Sequence, residues 1–337
     1  MSDKRYLGNI ITPNPTEPAG PYESDAASGV WSLAEAFAYQ KAGLWPTAGN
    51  VAPNALISAP AGGSATVVSF NTTTLGNTSA FATLTASTEN AAAFGNTTRY
   101  IVAGGQKSGR TNVIEYTTYA VGGAFSDFGD LSEAKDYLRG ESNSTRGIVQ
   151  GGTTGSYTNK IEYVTIATTG NASDFGDISV GGTIEATGTS STTRGVFACA
   201  MHGGTYGNTI NYITIASAGN SSDFGDLATD RWHTSAVANG TRGLFAGGNN
   251  GSNINVIEYI TLASTGNSAD FGDLVVTQSD AAGVSGGDRG VIVGGQGTNV
   301  MDYVTISSLG NGTDFGDLTL PQTYRVQGAC SAQVSVQ

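Results

Sequence analysis

Two histidines, two cysteines and five copies of Asp-Phe-Gly-Asp are the residues with which this chain could do chemistry. A metal centre needs ligands at matched spacing, and His202 and His233 stand at unrelated positions, so no metal site is expected. Cys199 and Cys330 each lie in an apolar, strand-like stretch and read as small buried hydrophobes rather than a disulfide framework. The paired aspartates, three apart in a Gly turn, have the geometry of a Ca²⁺ loop, or else of turn caps and Arg partners. Phosphoryl transfer would use one such motif beside a phosphate-binding loop, whereas here there are five at regular spacing and no loop of that kind. No nucleophile elbow is present. The expectation is a non-enzymatic protein without cofactor or metal.

The spacing of the motif reveals what positions it. Its phenylalanines are Phe128, Phe175, Phe224, Phe271 and Phe315, and one further step of 47 back from Phe128 lands on Phe81 in a degenerate sixth copy. Arg99, Arg146, Arg194, Arg242 and Arg289 keep the same period of 47 or 48 residues, each opening a short apolar run that ends in a Gly pair. A third series sets Asn four residues before Tyr116, Tyr163, Tyr212, Tyr259 and Tyr303. Within a copy the pattern alternates. Ile161, Tyr163 and Thr165 face one way, and Glu162, Val164 and Ile166 the other, with β-branched and aromatic residues dominant. The fifth copy reads as four strands over Thr234–Ala238, Arg242–Ala246, Asn255–Ala263 and Ala269–Leu274.

Four strands in under 50 residues, six times over, predict an all-β fold, a six-bladed β-propeller. The expected domains are an N-terminal arm, 1–50, and the propeller, 51–337. The blades fall at about 51–84 plus 321–337, then 85–131, 132–178, 179–227, 228–274 and 275–318. The Gly pair closing the second strand and the spaced Tyr of the third resemble kelch repeats, over roughly residues 51–337. The chain departs from them where Phe175 and its equivalents replace the usual Trp. The motif does not reproduce the sialidase Asp box, and two unrelated His do not make a galactose-oxidase-like copper site.

Ring closure is expected from the C-terminus, where Tyr324–Val336 aligns with a first strand and the start of a second, Gln333 standing at the Arg position. The first blade lacks both the Arg and the motif acids, having Ala80 and Thr83 instead, which predicts that the two pair within a blade. Arg194 would contact Asp223 or Asp226, Arg146 would pair with Asp174 or Asp177, and Arg242 with Asp270 or Asp273. Loss of Arg194 from such a buried pair would cost on the order of 3 kcal/mol.

Residues 1–50 stand outside the repeat. Ser32 and Glu35 form a capping box that predicts a helix from Leu33 to about Gly43. Trp31, Leu33, Phe37, Leu44 and Trp45 are its candidate anchoring residues, packed either under the propeller or on another subunit. Gly29-Val30-Trp31-Ser32-Leu33, the Ala-rich helix, Trp45-Pro46 and the start Tyr6-Leu7-Gly8-Asn9-Ile10-Ile11 resemble N-terminal segments of tailed-bacteriophage virion structural proteins, marine ones in particular. That resemblance implies an arm that attaches a variable outer domain to other virion proteins, with tail fibre, baseplate and capsid left open, and a virion location after synthesis in the host cytoplasm. The net charge of −12 argues against nucleic-acid partners, and no apolar run is long enough to insert in a membrane. A host-surface glycan or protein is the expected propeller ligand. Candidate contact loops are Asp230-Arg231-Trp232-His233, Gly155-Ser156-Tyr157-Thr158 and Gly248-Asn249-Asn250-Gly251. A cellular kelch-type interaction module and, further off, a carbohydrate-active enzyme are the alternatives.

Overall fold

The computed structural model describes residues 54–58, 64–120, 122–198, 201–202, 204–319 and 327–330. The expected arm, with Trp31, Leu33, Phe37, Leu44 and Trp45, lies outside them, as do Cys199 and Gln333. The described residues form strands and turns and no helix. Six sheets are arranged as a six-bladed propeller, each built on four antiparallel strands in order from first to fourth, with additional short strands on the first and fourth sheets. Blade 3 is typical, with strands Arg139–Ser142, Arg146–Gln150, Lys160–Thr165 and Ser173–Asp177. Blade 5 has Ser235–Ala238, Arg242–Ala246, Val256–Thr261 and Ala269–Asp273, close to the sequence reading. The first strands of successive blades are neighbours all the way round the centre.

Blade 1 closes the ring. Gln327–Cys330 is its innermost strand and pairs with Asn54–Ser58, which pairs with Thr66–Asn71 and that with Ser79–Thr83. The C-terminus therefore supplies a first strand as expected, but the second strand is Asn54–Ser58. By register Asn54, opposite Asn71 as Arg146 is opposite Thr165, takes the Arg position assigned above to Gln333.

The core lies between blades, because each sheet buries residues on both faces. Phe94, Ile101, Ile114 and Phe128 of blade 2 pack on Leu138, Val149, Val164 and Ile166 of blade 3. This approach requires Gly147, where a Cβ would stand 2.0 Å from the Phe94 ring. In blade 2 the residue after the Arg is Tyr100 instead. It is fully buried against blade 1, its hydroxyl 2.8 Å from Ser58 Oγ.

Candidate ligand-binding face and the joints beneath it

The repeated polar residues join blades. Arg194 lies over the ring of Tyr212 in its own blade, 4.7 Å from the centroid, and donates from Nη1 to the Leu262 carbonyl of the next blade at 2.9 Å. Arg99, Arg146, Arg242 and Arg289 repeat this over Tyr116, Tyr163, Tyr259 and Tyr303. Their carbonyl partners are Ile166, Ile215, Ile306 and Thr72 in the blades that follow. Each Tyr meets the motif Phe edge-on, as Tyr212 meets Phe224 with centroids 5.9 Å apart.

This corrects the expected Arg–Asp pairs. Among the described residues no ion pair joins Arg146 to Asp174 or Asp177, Arg194 to Asp223 or Asp226, or Arg242 to Asp270 or Asp273. Register is the physical reason. Arg194 is opposite Thr214, while Asp223 is opposite Asn211, on the other side of the pleat from Tyr212 and Phe224. Asp226 is opposite Thr209, about 16 Å further along the strand at ~3.3 Å per residue.

The Asp-Phe-Gly-Asp motif works through its backbone. Gly225 has φ +146°, and its Cα approaches the Gly266 carbonyl so closely that a Cβ would stand 2.4 Å from it. Gly266 N–H donates to the Phe224 carbonyl at 2.7 Å, and Asp226 N–H donates to Asn267 Oδ1 at 3.1 Å. The same clasp recurs at Asp130 with Asn171, Asp177 with Asn220, Asp273 with Asn311 and Asp317 with Asn77. Between blades 1 and 2, where the motif has decayed, Ala82 and Thr83 pair in parallel with Gly123 and Ala124.

A second joint is a buried acid before the third-strand Tyr. Glu162 Oε1 accepts the N–H of Ser132, in the connection from blade 2 to blade 3, at 2.8 Å, and its Oε2 stands 2.6 Å from Lys135 Nζ, both side chains fully buried. Burial pushes the Glu162 carboxyl up, but the Lys135 ammonium and the hydrogen bonds at Ser132 bring it below the ordinary range. Glu258 repeats the arrangement with Ala228 N–H and Arg231. Arg231 is thus fully buried and Lys135 is its counterpart, so its expected place among the residues of a contact loop is corrected. Asp302 accepts the Val275 N–H in blade 6, but Gln278 stands where the cation would be, and burial raises its carboxyl to about 6.

The mouth of the channel carries a ring of residues just ahead of the first strands. Asn90, Tyr137, Glu185, His233 and Asp280 are the non-glycine residues with positive φ among those described, at 54° to 61°. Backbone bonds tie neighbours together, Leu138 N–H to the Asn90 carbonyl and Asp280 N–H to the His233 carbonyl. His233 sits between two acids, Nε2 2.5 Å from Glu185 Oε2 and Nδ1 3.2 Å from Asp280 Oδ1. Burial opposes its charge, but the contacts with Asp280 and Glu185 outweigh that and lift the imidazole above its ordinary value. Sequence reasoning singled out His233 and missed its partners. The repeat itself holds the signal, since steps of 48 back and 47 forward from His233 reach Glu185 and Asp280.

Around this mouth lies an aromatic strip from three consecutive blades. Trp232 stacks on His233 at 4.0 Å and on Tyr206 at 5.1 Å. Tyr206 follows Met201–His202, and the Met201 Sδ is 3.7 Å from the Tyr157 hydroxyl. Tyr157 and Tyr206 are 41% and 38% exposed, and Asp230 is exposed beside Trp232. Of the loop expected to bind, Asp230 and Trp232 reach the surface, while Arg231 and His233 hold the blades beneath. The described residues contain no cluster of three metal-ligating side chains. Compared with protein-family models and with curated proteins, the chain matches none.

Proposed function

We propose that this protein is a non-enzymatic virion structural protein whose propeller binds a host-surface ligand through the mouth face. The observation that carries the binding role is the strip Tyr157, Tyr206 and Trp232, two of whose members are among the six large apolar side chains left exposed in the described residues. Aromatic residues with a polar tip are the side chains that dominate recognition surfaces, and here they stand on a rigid scaffold. The structural role is supported by the use of the repeated Arg, Gly and Asn residues as joints between blades. The phage assignment is supported by the arm sequence around Trp31 and Trp45, and the kelch relation by the Gly pairs and Tyr series.

The test is binding of the purified chain to a panel of bacterial cells and their isolated surface glycans. The Tyr157→Ala/Tyr206→Ala variant loses binding about tenfold or more, with melting temperature unchanged, since exposed side chains add little to stability. Equal binding by wild type and variant would refute the mouth-face reading. Deletion of residues 1–50 separates a virion protein from a free interaction module. An arm that attaches to other virion proteins is dispensable for propeller melting and monodispersity, whereas an arm that packs on its own domain is not.

A further inference from the structure

The joint between blades 5 and 6 has the acid of the Glu162 and Glu258 joints but not their basic partner. Gln278 holds the place of Lys135. Its carbonyl takes the Gly248 N–H at 2.8 Å, as that of Lys135 takes the Gly105 N–H at 2.9 Å. Asp302 holds the place of Glu162, and its Oδ2 accepts the Val275 N–H at 3.0 Å. Both side chains are buried.

The polar atoms left over in this joint point to a ligand. Asp302 Oδ1 and both Oε1 and Nε2 of Gln278 are buried without a hydrogen-bond partner. A buried polar atom in that state carries a desolvation cost, larger where it is charged, that a bound ion relieves. Side-chain length explains why the two do not meet. Lys135 Nζ and Glu162 Oε2 are 2.6 Å apart. Asp is one methylene shorter than Glu, and the Gln amide ends one bond short of a Lys ammonium. At ~1.5 Å per bond these losses open a gap of about 5 Å. A cation with an oxygen on either side at ~2.5 Å spans about that distance.

The walls supply further oxygens. In the blade 5 joint Arg231 donates to the carbonyls of Gly247 and Val256 at 3.3 Å each and of Phe245 at 3.5 Å, beside Glu258 Oε2 at 2.6 Å. By register the same places in blade 6 belong to Gly294, Val300 and Ile292, since Asp302 is opposite Ile292 as Glu258 is opposite Phe245. Carboxylate, amide and carbonyl oxygens are ligands for a hard cation, and one buried carboxylate balances a single charge. Asp314, opposite Asp302 on the fourth strand, is exposed, and water screens its charge.

We propose that this joint binds a small monovalent cation, sodium, potassium or ammonium, between the Asp302 carboxylate and the Gln278 amide oxygen. The ion does for blades 5 and 6 what the Lys135 ammonium does for blades 2 and 3. The site is independent of the aromatic strip and of the host-binding reading.

The test is a melting-temperature titration of the full chain with sodium, potassium and ammonium chloride, each against tetramethylammonium chloride, whose cation is too large to enter, at matched ionic strength. It is run at pH 8, where the Asp302 carboxyl, raised by burial to about 6, is ionised. A saturable rise of a few degrees is expected with at least one of the three cations. One cation alone saturating identifies the ion by size, and all three the shared chemistry. Asp302→Asn, which keeps an oxygen for the Val275 N–H, weakens the response about tenfold or more. Gln278→Lys brings its own ammonium and removes the response. Asp270→Asn, at an exposed acid of blade 5, leaves it unchanged. Absence of a saturable response to all three cations overturns the site, as does an undiminished response in Asp302→Asn. Should Asp302→Asn fail to fold, Gln278→Lys decides, and a response equal to that of wild type there overturns the proposal.

Discussion

The Lys135–Glu162 pair offers a test in which the protein supplies its own control. Both side chains are fully buried, 2.6 Å apart, and Glu162 also takes the Ser132 N–H of the connection from the blade before. Replacing Lys135 with Met leaves a carboxylate stranded in the joint, and replacing Glu162 with Gln strands an ammonium. Breaking one side of a buried pair costs about 3–5 kcal/mol. The retained Ser132 bond favours the lower end for Lys135→Met, on the order of 3 kcal/mol, or about 6 °C for a domain of this size. Blade 4 shows how the joint looks without charge, with Thr183 at the cation position and Asn211 at the acid position. Asn211 Oδ1 accepts from the Ser179 hydroxyl, so the joint between blades survives the exchange. The double variant Lys135→Thr/Glu162→Asn should therefore melt within about 2–3 °C of wild type, above its parent singles Lys135→Thr and Glu162→Asn, which strand the same charges, giving a coupling energy of about 2 kcal/mol or more. Thermal and urea unfolding of the four proteins measure it. Single variants costing under about 1 kcal/mol each, with an additive double, would refute the reasoning.

Three further outcomes follow from the same joints. Asp302 has its carboxyl raised to about 6 from 3.8, so the folded state binds its proton more tightly than the unfolded state. Its contribution is most favourable below about pH 4 and declines as pH rises to about 6. Gln278→Lys should recover about 1–2 kcal/mol at pH 8, after allowance for screening by water, and nothing at pH 3.5; an equal gain at both would sink the idea. His233 titrates above its ordinary value of 6.5, so its stabilisation is complete below that pH and is lost as pH rises through the folded value. Melting temperature should fall from pH 6 to 9 in wild type and stay flatter in His233→Gln; parallel curves would count against the clamp. Gly225→Ala places a methyl group 2.4 Å from the Gly266 carbonyl in a backbone region that alanine avoids, and should cost about 2–4 kcal/mol, whereas Gly251→Ala, whose Cβ meets nothing within 4 Å, costs only its φ strain. Equal melting of the two variants would argue that the clasp bears no strain.

The architecture was legible because the repeat is written in residue types that turns and buried faces require. Phe at steps of 44 to 49 residues fixed the blades, and alternation in Ile161–Ile166 fixed the strands. The role of the repeated Arg was not legible. The reading paired opposite charges, but which charges meet depends on strand register and pleat, and these set Arg194 on the face of Tyr212 and Asp223 on the other. The Asp-Phe-Gly-Asp motif looked like chemistry for a related reason. Its Gly and backbone N–H groups do the joining, and Asp223, Asp270 and Asp314 remain exposed. The mouth was half legible. Trp232 and His233 stood out by composition, while Glu185 and Asp280 show as partners only when the period is applied to His233.

Closure between the two ends of the chain defines the ring and the mouth that it presents, so the most direct measurement is native-state hydrogen exchange across that closure. Amides of Gly328–Cys330 and Ala55–Ser58 should exchange with protection close to that of the inner and second strands of the other blades, Ala92–Gly95 and Arg146–Gln150, because all belong to one closed cooperative unit. Exchange of 327–330 at the rate of free chain, with Ala92–Gly95 still protected, would contradict a propeller closed by its C-terminal strand.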